Sequence, residues 1–260
     1  PRPRVPRPHR GQGDRPLVFP PRASHTVALK TDGTVWSCGD NALGQLGRDA
    51  PEESPHYCFG RIMGITRAKN IACGQGYTVI LDHDGTVWDC GDNSYGQLGR
   101  VIESGGPAIN NLGKITNLSN VETVGCGERH TVFIQKNGDV WNCGDNGYGQ
   151  LGRSAQRGLF DTVNLGMLEA LRGVKHVWCG DFCTTFKKTD GSIWNCGENY
   201  YGSLARNTES GSAQSVNLAQ LTAIEDLVST DGGWYFNHYV KSDGTVWSCG
   251  YNESGELGRV

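Results

Sequence analysis

Along this chain the apolar positions fall in short runs, and many of them are interrupted by a polar pair ending in glycine. Residues 25–38, HTVALKTDGTVWSC, show the pattern: a segment rich in Val, Leu and Thr, then Asp-Gly, then Val-Trp. Asp-Gly tolerates the positive φ angles of the tight turns that join twisted antiparallel strands, so the stretch predicts a β-hairpin. It recurs as YTVILDHDGTVWDC from Tyr77, HTVFIQKNGDVWNC from His130, CTTFKKTDGSIWNC from Cys183 and FNHYVKSDGTVWSC from Phe236. Shorter apolar pieces upstream, such as NVETVGCG and GVKHVWCG, predict a further strand entering the hairpin. A helical stripe is sustained nowhere for more than two turns; residues 166–174, GMLEALRGV, come nearest.

Trp36, Trp88, Trp141, Trp194 and Trp247 fix the period, at intervals of 52, 53, 53 and 53 residues. Glycine-rich units of several short strands, with an aromatic at a fixed place, predict an all-β fold: a β-propeller of about five blades over residues 23–260. Stacked blades bury both faces of each sheet, which accounts for strands that do not alternate cleanly between apolar and polar. The tryptophans are accordingly read as packing residues between blades.

Composition changes this picture at the N-terminus. Residues 1–22 hold seven of the ten prolines and six arginines against one acid, Asp14. Such a basic, proline-rich arm has little to pack and reads either as a disordered lead-in or as a tail for nucleic acid or another partner. Its Leu17, Val18 and Phe19 lie in the register of Glu122, Thr123 and Val124, so the arm is also a candidate closing strand for the ring. The formal charge of −3 is that of an ordinary soluble protein, and no apolar run approaches the roughly 18 residues of a membrane helix. The compartment is not legible in these residues.

The unit HTVALKTDGTVWSCGDNALGQLG resembles the repeat of the regulator of chromosome condensation family, and the likeness spans residues 24–260. The resemblance implies a propeller and a role in binding proteins. It also raises an alternative, guanine-nucleotide exchange on a small GTPase with chromatin contact through the arm. The family's eponymous protein has seven blades and a protruding wedge for exchange; the even spacing here leaves no room for the wedge. Where that family has tryptophan, this chain has Cys38, Cys90, Cys143, Cys196 and Cys249. In the fourth unit Ser203 and Ala205 replace Gln and Gly, and in the fifth Tyr251 and Glu256 replace Asp and Gln. These changes are read as drift in loops under structural constraint.

Candidate chemistry is sparse. Phosphate-cradling loops, nucleophile elbows and zinc helices are absent from the sequence, and no catalytic, cofactor-binding or metal-ligating residue is assigned. His25 and His130 share a slot filled elsewhere by Tyr77, Cys183 and Phe236, which marks a packing position. Among the ten cysteines, Cys73, Cys126 and Cys179 each precede Cys90, Cys143 and Cys196 by 17 residues. Buried thiols are favoured over within-blade disulfides, and zinc comes last because no Cys-x-x-Cys pair occurs. Every unit ends its loop in arginine, at Arg48, Arg100, Arg153, Arg206 and Arg259. In a ring these form a circle of positive charge, either clasped to the acids eight residues earlier (Asp40, Asp92, Asp145 and Glu198) or presented to an acidic partner. The expected function is a non-enzymatic module that binds a protein partner; exchange activity and an extracellular or virion-surface adhesion module stand as alternatives.

Overall fold

The computed structural model describes residues 24–49, 58–102, 111–156, 158, 163–212 and 215–259. Its strands group into five antiparallel sheets, one for each repeat. The first holds β1 (His25–Leu29), β2 (Val35–Gly39) and β3 (Gly60–Arg61). The second holds β4 (Ala68–Gly74), β5 (Tyr77–Asp82), β6 (Val87–Gly91) and β7 (Gly113–Lys114). In the third are β8 (Val121–Cys126), β9 (His130–Gln135), β10 (Val140–Gly144) and β11 (Gly166–Met167). The fourth comprises β12 (Val174–Cys179), β13 (Cys183–Lys188), β14 (Ile193–Gly197) and β15 (Ala219–Gln220), and the fifth β16 (Leu227–Gly232), β17 (Phe236–Lys241) and β18 (Val246–Gly250). Each sheet is a meander and forms one blade of the propeller. The stretch at 166–174 is the short β11 followed by a turn, and no helix occurs among the described residues. The arm at 1–22, with the closing strand and nucleic-acid contact read from it, lies outside the described residues.

The hairpins form where Asp-Gly and Asn-Gly predicted them, and the turn side chains show why. Asp32 Oδ1 accepts both the amide of Thr34 at 2.9 Å and its hydroxyl at 2.6 Å. Asp190 does the same for Ser192 and Asp243 for Thr245, each amide at 2.9 Å. These bonds close the turn locally, so each of these turns is specified by its own neighbouring residues. They fix the register that sets Ala28 opposite Trp36, Ile80 opposite Trp88 and Phe133 opposite Trp141.

The core lies between blades. One cluster joins Val27 and Val35 of the first blade to Ile71 and Ile80 of the second; another joins Tyr77, Val79 and Val87 to Val124, Phe133 and Cys143 of the third. Val132 and Val140 meet Val174 and Phe186, and Ile193 meets Leu227 and Tyr239. Successive inner strands β4, β8, β12 and β16 touch one another. Burial on both faces explains the unbroken buried runs of β5 and β9. The first strand position after each turn makes the exception visible: Val35, Val87 and Val140 are fully buried and Ile193 is 2% exposed, whereas Val246 is 62% exposed. Among the described residues no blade covers the trailing face of the fifth.

The tryptophans are only half-buried at 36, 88, 141 and 194, and Trp247 is exposed. Trp88, Trp141 and Trp194 pack against the clusters between blades, as expected, and indole nitrogens donate back towards the hairpin turns, from Trp36 to Thr34 at 3.1 Å and from Trp141 to Gln135 at 3.1 Å. They fasten turns as well as filling space.

Candidate functional site

The long loop after each second hairpin strand is built by side chains bonding to backbone. In the second unit Asp92 Oδ1 accepts the Ser94 amide and Oδ2 accepts Gln97 Nε2, both at 2.9 Å. Gln97 Oε1 in turn accepts the Tyr95 amide at 3.0 Å, and Asn93 Oδ1 accepts the Leu98 amide at 2.9 Å. The first and third units repeat these bonds. The folded loop then presents its Gln97 carbonyl to the next blade, where Thr131 donates to it at 2.7 Å and the Cys143 thiol at 3.3 Å. Equivalent bonds run from Thr78 and Cys90 to Gln45, and from Thr184 and Cys196 to Gln150. Gly99 has φ +65, and a Cβ added there would stand 3.1 Å from the Cys143 sulfur. That close approach leaves little room for a side chain at residue 99. All ten cysteines carry free thiols, and burial pushes those of Cys90, Cys143 and Cys196 up.

The histidine slot belongs to the same seam. His25 Nε2 meets the Thr78 hydroxyl at 2.8 Å and His130 Nε2 meets that of Thr184 at 2.9 Å. Burial holds His25 down to about 4, so the ring is neutral and structural.

The arginines do not pair with the acids eight residues earlier. Those carboxylates are taken up inside the loop, by Gln45, Gln97 and Gln150 and, for Glu198, by Ser203 at 3.1 Å. Each arginine follows the loop's reversal and reaches back eleven residues to the preceding strand. Arg100 Nε donates to Asp89 Oδ1 at 2.5 Å, while Arg153 and Arg206 donate to Asn142 and Asn195, both at 2.6 Å. Their Nη2 atoms also donate to the carbonyls of Asn111, Asn164 and Asn217. Arg48 bonds Ser37 at 3.2 Å and Cys58 O at 3.3 Å, and the exposed Arg259 bonds Ser248 O at 3.0 Å. The guanidinium group thus ties the loop and the incoming outer strand to one blade.

What the sequence reading passed over lies on the face formed by the long loops and the inner loops near residues 75, 128, 181 and 234. Around the axis the Gln75 amide donates to Glu128 O at 3.1 Å and the Glu128 amide to Asp181 O at 3.2 Å. Gln75, Glu128, Asp181 and Trp234 line a cavity of about 200 Å³. At each junction the fifth loop residue of one unit packs on the inner loop of the next. Tyr95 meets Arg129, with the guanidinium 4.6 Å from the ring centroid; Tyr148 meets Phe182 at 5.1 Å and Tyr201 meets Tyr235 at 5.1 Å. Towards the fifth blade this row grows into a patch: Tyr200 is 80% exposed, Trp234 58%, Tyr201 44% and Tyr148 40%.

The loop changes read as drift help to build this patch. Tyr251 stands in the aspartate slot, 5.0 Å from Tyr201 by ring centroids, and its hydroxyl donates to Glu253 at 2.6 Å. Glu256, in the glutamine slot, still accepts the Ser254 amide at 3.0 Å. Tyr201, Trp234, Tyr235, Phe236, Tyr251 and Glu256 line an open cavity of about 320 Å³ between the fourth and fifth blades. Departures in the fifth loop, together with aromatics at 200, 201, 234 and 235, were the available signal.

A family model described as the RCC1-like domain matches residues 22–260. The probable E3 ubiquitin-protein ligase HERC6 of Homo sapiens is 26% identical over 245 residues, which are 90% of this chain and 23% of the relative. The regulator of chromosome condensation of Xenopus laevis is 26% identical over 251 residues, 90% of this chain and 59% of that protein. Among solved structures, human WBSCR16 superposes with a TM-score of 0.70 at 22% identity, over 89% of this chain and 61% of the other. The chain spans about a quarter or less of the ligase relatives it matches. The expectation of a non-enzymatic protein is corrected by this finding. Relatives are named as ligases, and a propeller covering 23% of such a protein does not determine the chemistry of the rest. No helix among the described residues is long and apolar enough to cross a membrane.

Proposed function

This chain belongs to the RCC1-like domain family, and on that premise we propose that it is a protein-binding module whose recognition surface is the loop face of the third to fifth blades. The observation that carries the reading is the cluster of exposed aromatics at Tyr148, Tyr200, Tyr201 and Trp234. Large aromatic side chains left in water cost free energy that contact with a partner recovers, and Tyr and Trp are the residues enriched at the centres of protein interfaces. The framework below them is held by bonds within each loop and to the next blade, so the patch sits on a rigid support and loses little entropy on binding. The five arginines contribute by fixing that support.

A photocrosslinking residue placed at Tyr200 tests the reading against one placed at His83, an exposed turn residue at the opposite end of the strands. Protein adducts are expected from position 200 and not from position 83. Adducts of equal yield from both positions would count against a defined recognition face.

A further inference from the structure

The chain contains its own example of what a loop tyrosine on this face can hold. At the second junction the Arg129 guanidinium lies over Tyr95, donates to the Tyr95 hydroxyl at 2.8 Å and pairs with Glu128 at 3.0 Å. Ring, hydroxyl and carboxylate together satisfy a planar cation by stacking, hydrogen bonding and charge. At the fourth junction Tyr201 occupies the place of Tyr95, and Tyr235 stands where Arg129 does. Among the described residues no lysine or arginine lines the cavity there, and its walls are five aromatic rings and the carboxylate of Glu256. Trp234 also lines the axial cavity beside Glu128 and Asp181, so carboxylates stand on that side too.

We propose that this cavity receives the guanidinium of an arginine side chain from a protein partner, stacked against the aromatic walls and paired with Glu256. The inference rests on the loop face being the recognition surface. Arginine is preferred to lysine because a flat, weakly hydrated guanidinium stacks on rings and keeps its edge donors for a carboxylate, as Arg129 does. The departures of the fifth loop fit this use. Where Asp and Gln bond each other in the first three loops, Tyr251 and Glu256 add a ring and a charge to the cavity instead.

The test uses N-acetyl-arginine methylamide and its citrulline counterpart, which has nearly the same shape and no charge. Binding is followed by fluorine NMR of the chain labelled with 5-fluorotryptophan, the Trp234 resonance being assigned with Trp234→Phe. The arginine probe is expected to shift that resonance with a dissociation constant roughly tenfold below that of citrulline, the size of a partly desolvated cation–π contact with a charge partner. Glu256→Gln keeps an acceptor for the Ser254 amide and is expected to abolish the preference while its melting transition stays cooperative. Equal affinity of the two probes overturns the proposal, as does no shift with either. If adducts from position 200 persist in that case, the arginine pocket fails alone; if they are missing too, the recognition face fails with it.

Discussion

Asp89 is fully buried beneath Arg100, at the position where the third and fourth units carry Asn142 and Asn195. Its Oδ2 finds no partner, and burial raises its carboxyl to about 7 despite the neighbouring guanidinium. A carboxyl raised in the folded state binds its proton more tightly there than in the unfolded chain, so its contribution to stability falls as pH rises from about 4 towards 7. Asp89→Asn, which keeps an oxygen for Arg100, should therefore stabilise the protein by about 1 kcal/mol or more at about pH 8. The gain should shrink as pH falls to about 4, where the wild-type carboxyl is protonated. Denaturant melts of both proteins at the two pH values check the sign, and a gain that grows on acidification would refute it. The cysteines make a second case at this scale. Cys58 is exposed, whereas Cys90, Cys143 and Cys196 are buried with thiols pushed up. Mass spectrometry after brief alkylation of the native chain should find Cys58 modified and those three intact until denaturant is added. Early labelling of Cys143 would show that the seam between blades is looser than described.

The loop element tolerates substitution according to its backbone. Its penultimate residue is glycine with positive φ in four units, and Ala205 at φ +53 in the fourth. An L residue there is strained, so Ala205→Gly should stabilise by about 0.5–1 kcal/mol despite the added freedom of the unfolded chain. A thermal melt lower than wild type would mean that the alanine methyl packs better than its backbone suffers. Elements of this kind were legible in the sequence to the extent that their causes are local. Asp32 and Gly33 close a turn with their own neighbours, and the hairpins appeared where such pairs stood. The arginine partners were misread because spacing along the chain does not show a reversal. Asp92 turns to Gln97 inside the loop, and Arg100 doubles back past it to Asp89. The aromatic cavity was out of reach for the same reason, since Tyr201, Trp234 and Tyr251 belong to three separate loops that only the packing of two blades brings together.

At the scale of the whole molecule, repetition supplies a framework and the variable loop slots supply its use. The framework is measurable through quasi-equivalent positions. Val140 is fully buried between blades and Val246 is 62% exposed on the fifth. In this chain Val140→Ala should cost about 1–3 kcal/mol by emptying packed space, while Val246→Ala stays within about 0.5 kcal/mol. The use of the framework depends on residues that one repeat has and another lacks. At the first junction Leu43, Gln75 and Gly76 fill the slots that hold Tyr201, Trp234 and Tyr235 at the fourth, and the first two blades pack through the same kind of seam without those aromatics. Tyr201→Leu, Trp234→Gln and Tyr235→Gly together convert the fourth junction to the composition of the first. The decisive measurement is photocrosslinking from position 200 in that triple variant, with its melting transition recorded on the same preparation. The account predicts a cooperative melt and the loss of the protein adducts formed by the otherwise unchanged chain. The same adducts, persisting at full yield on a folded variant, would contradict it.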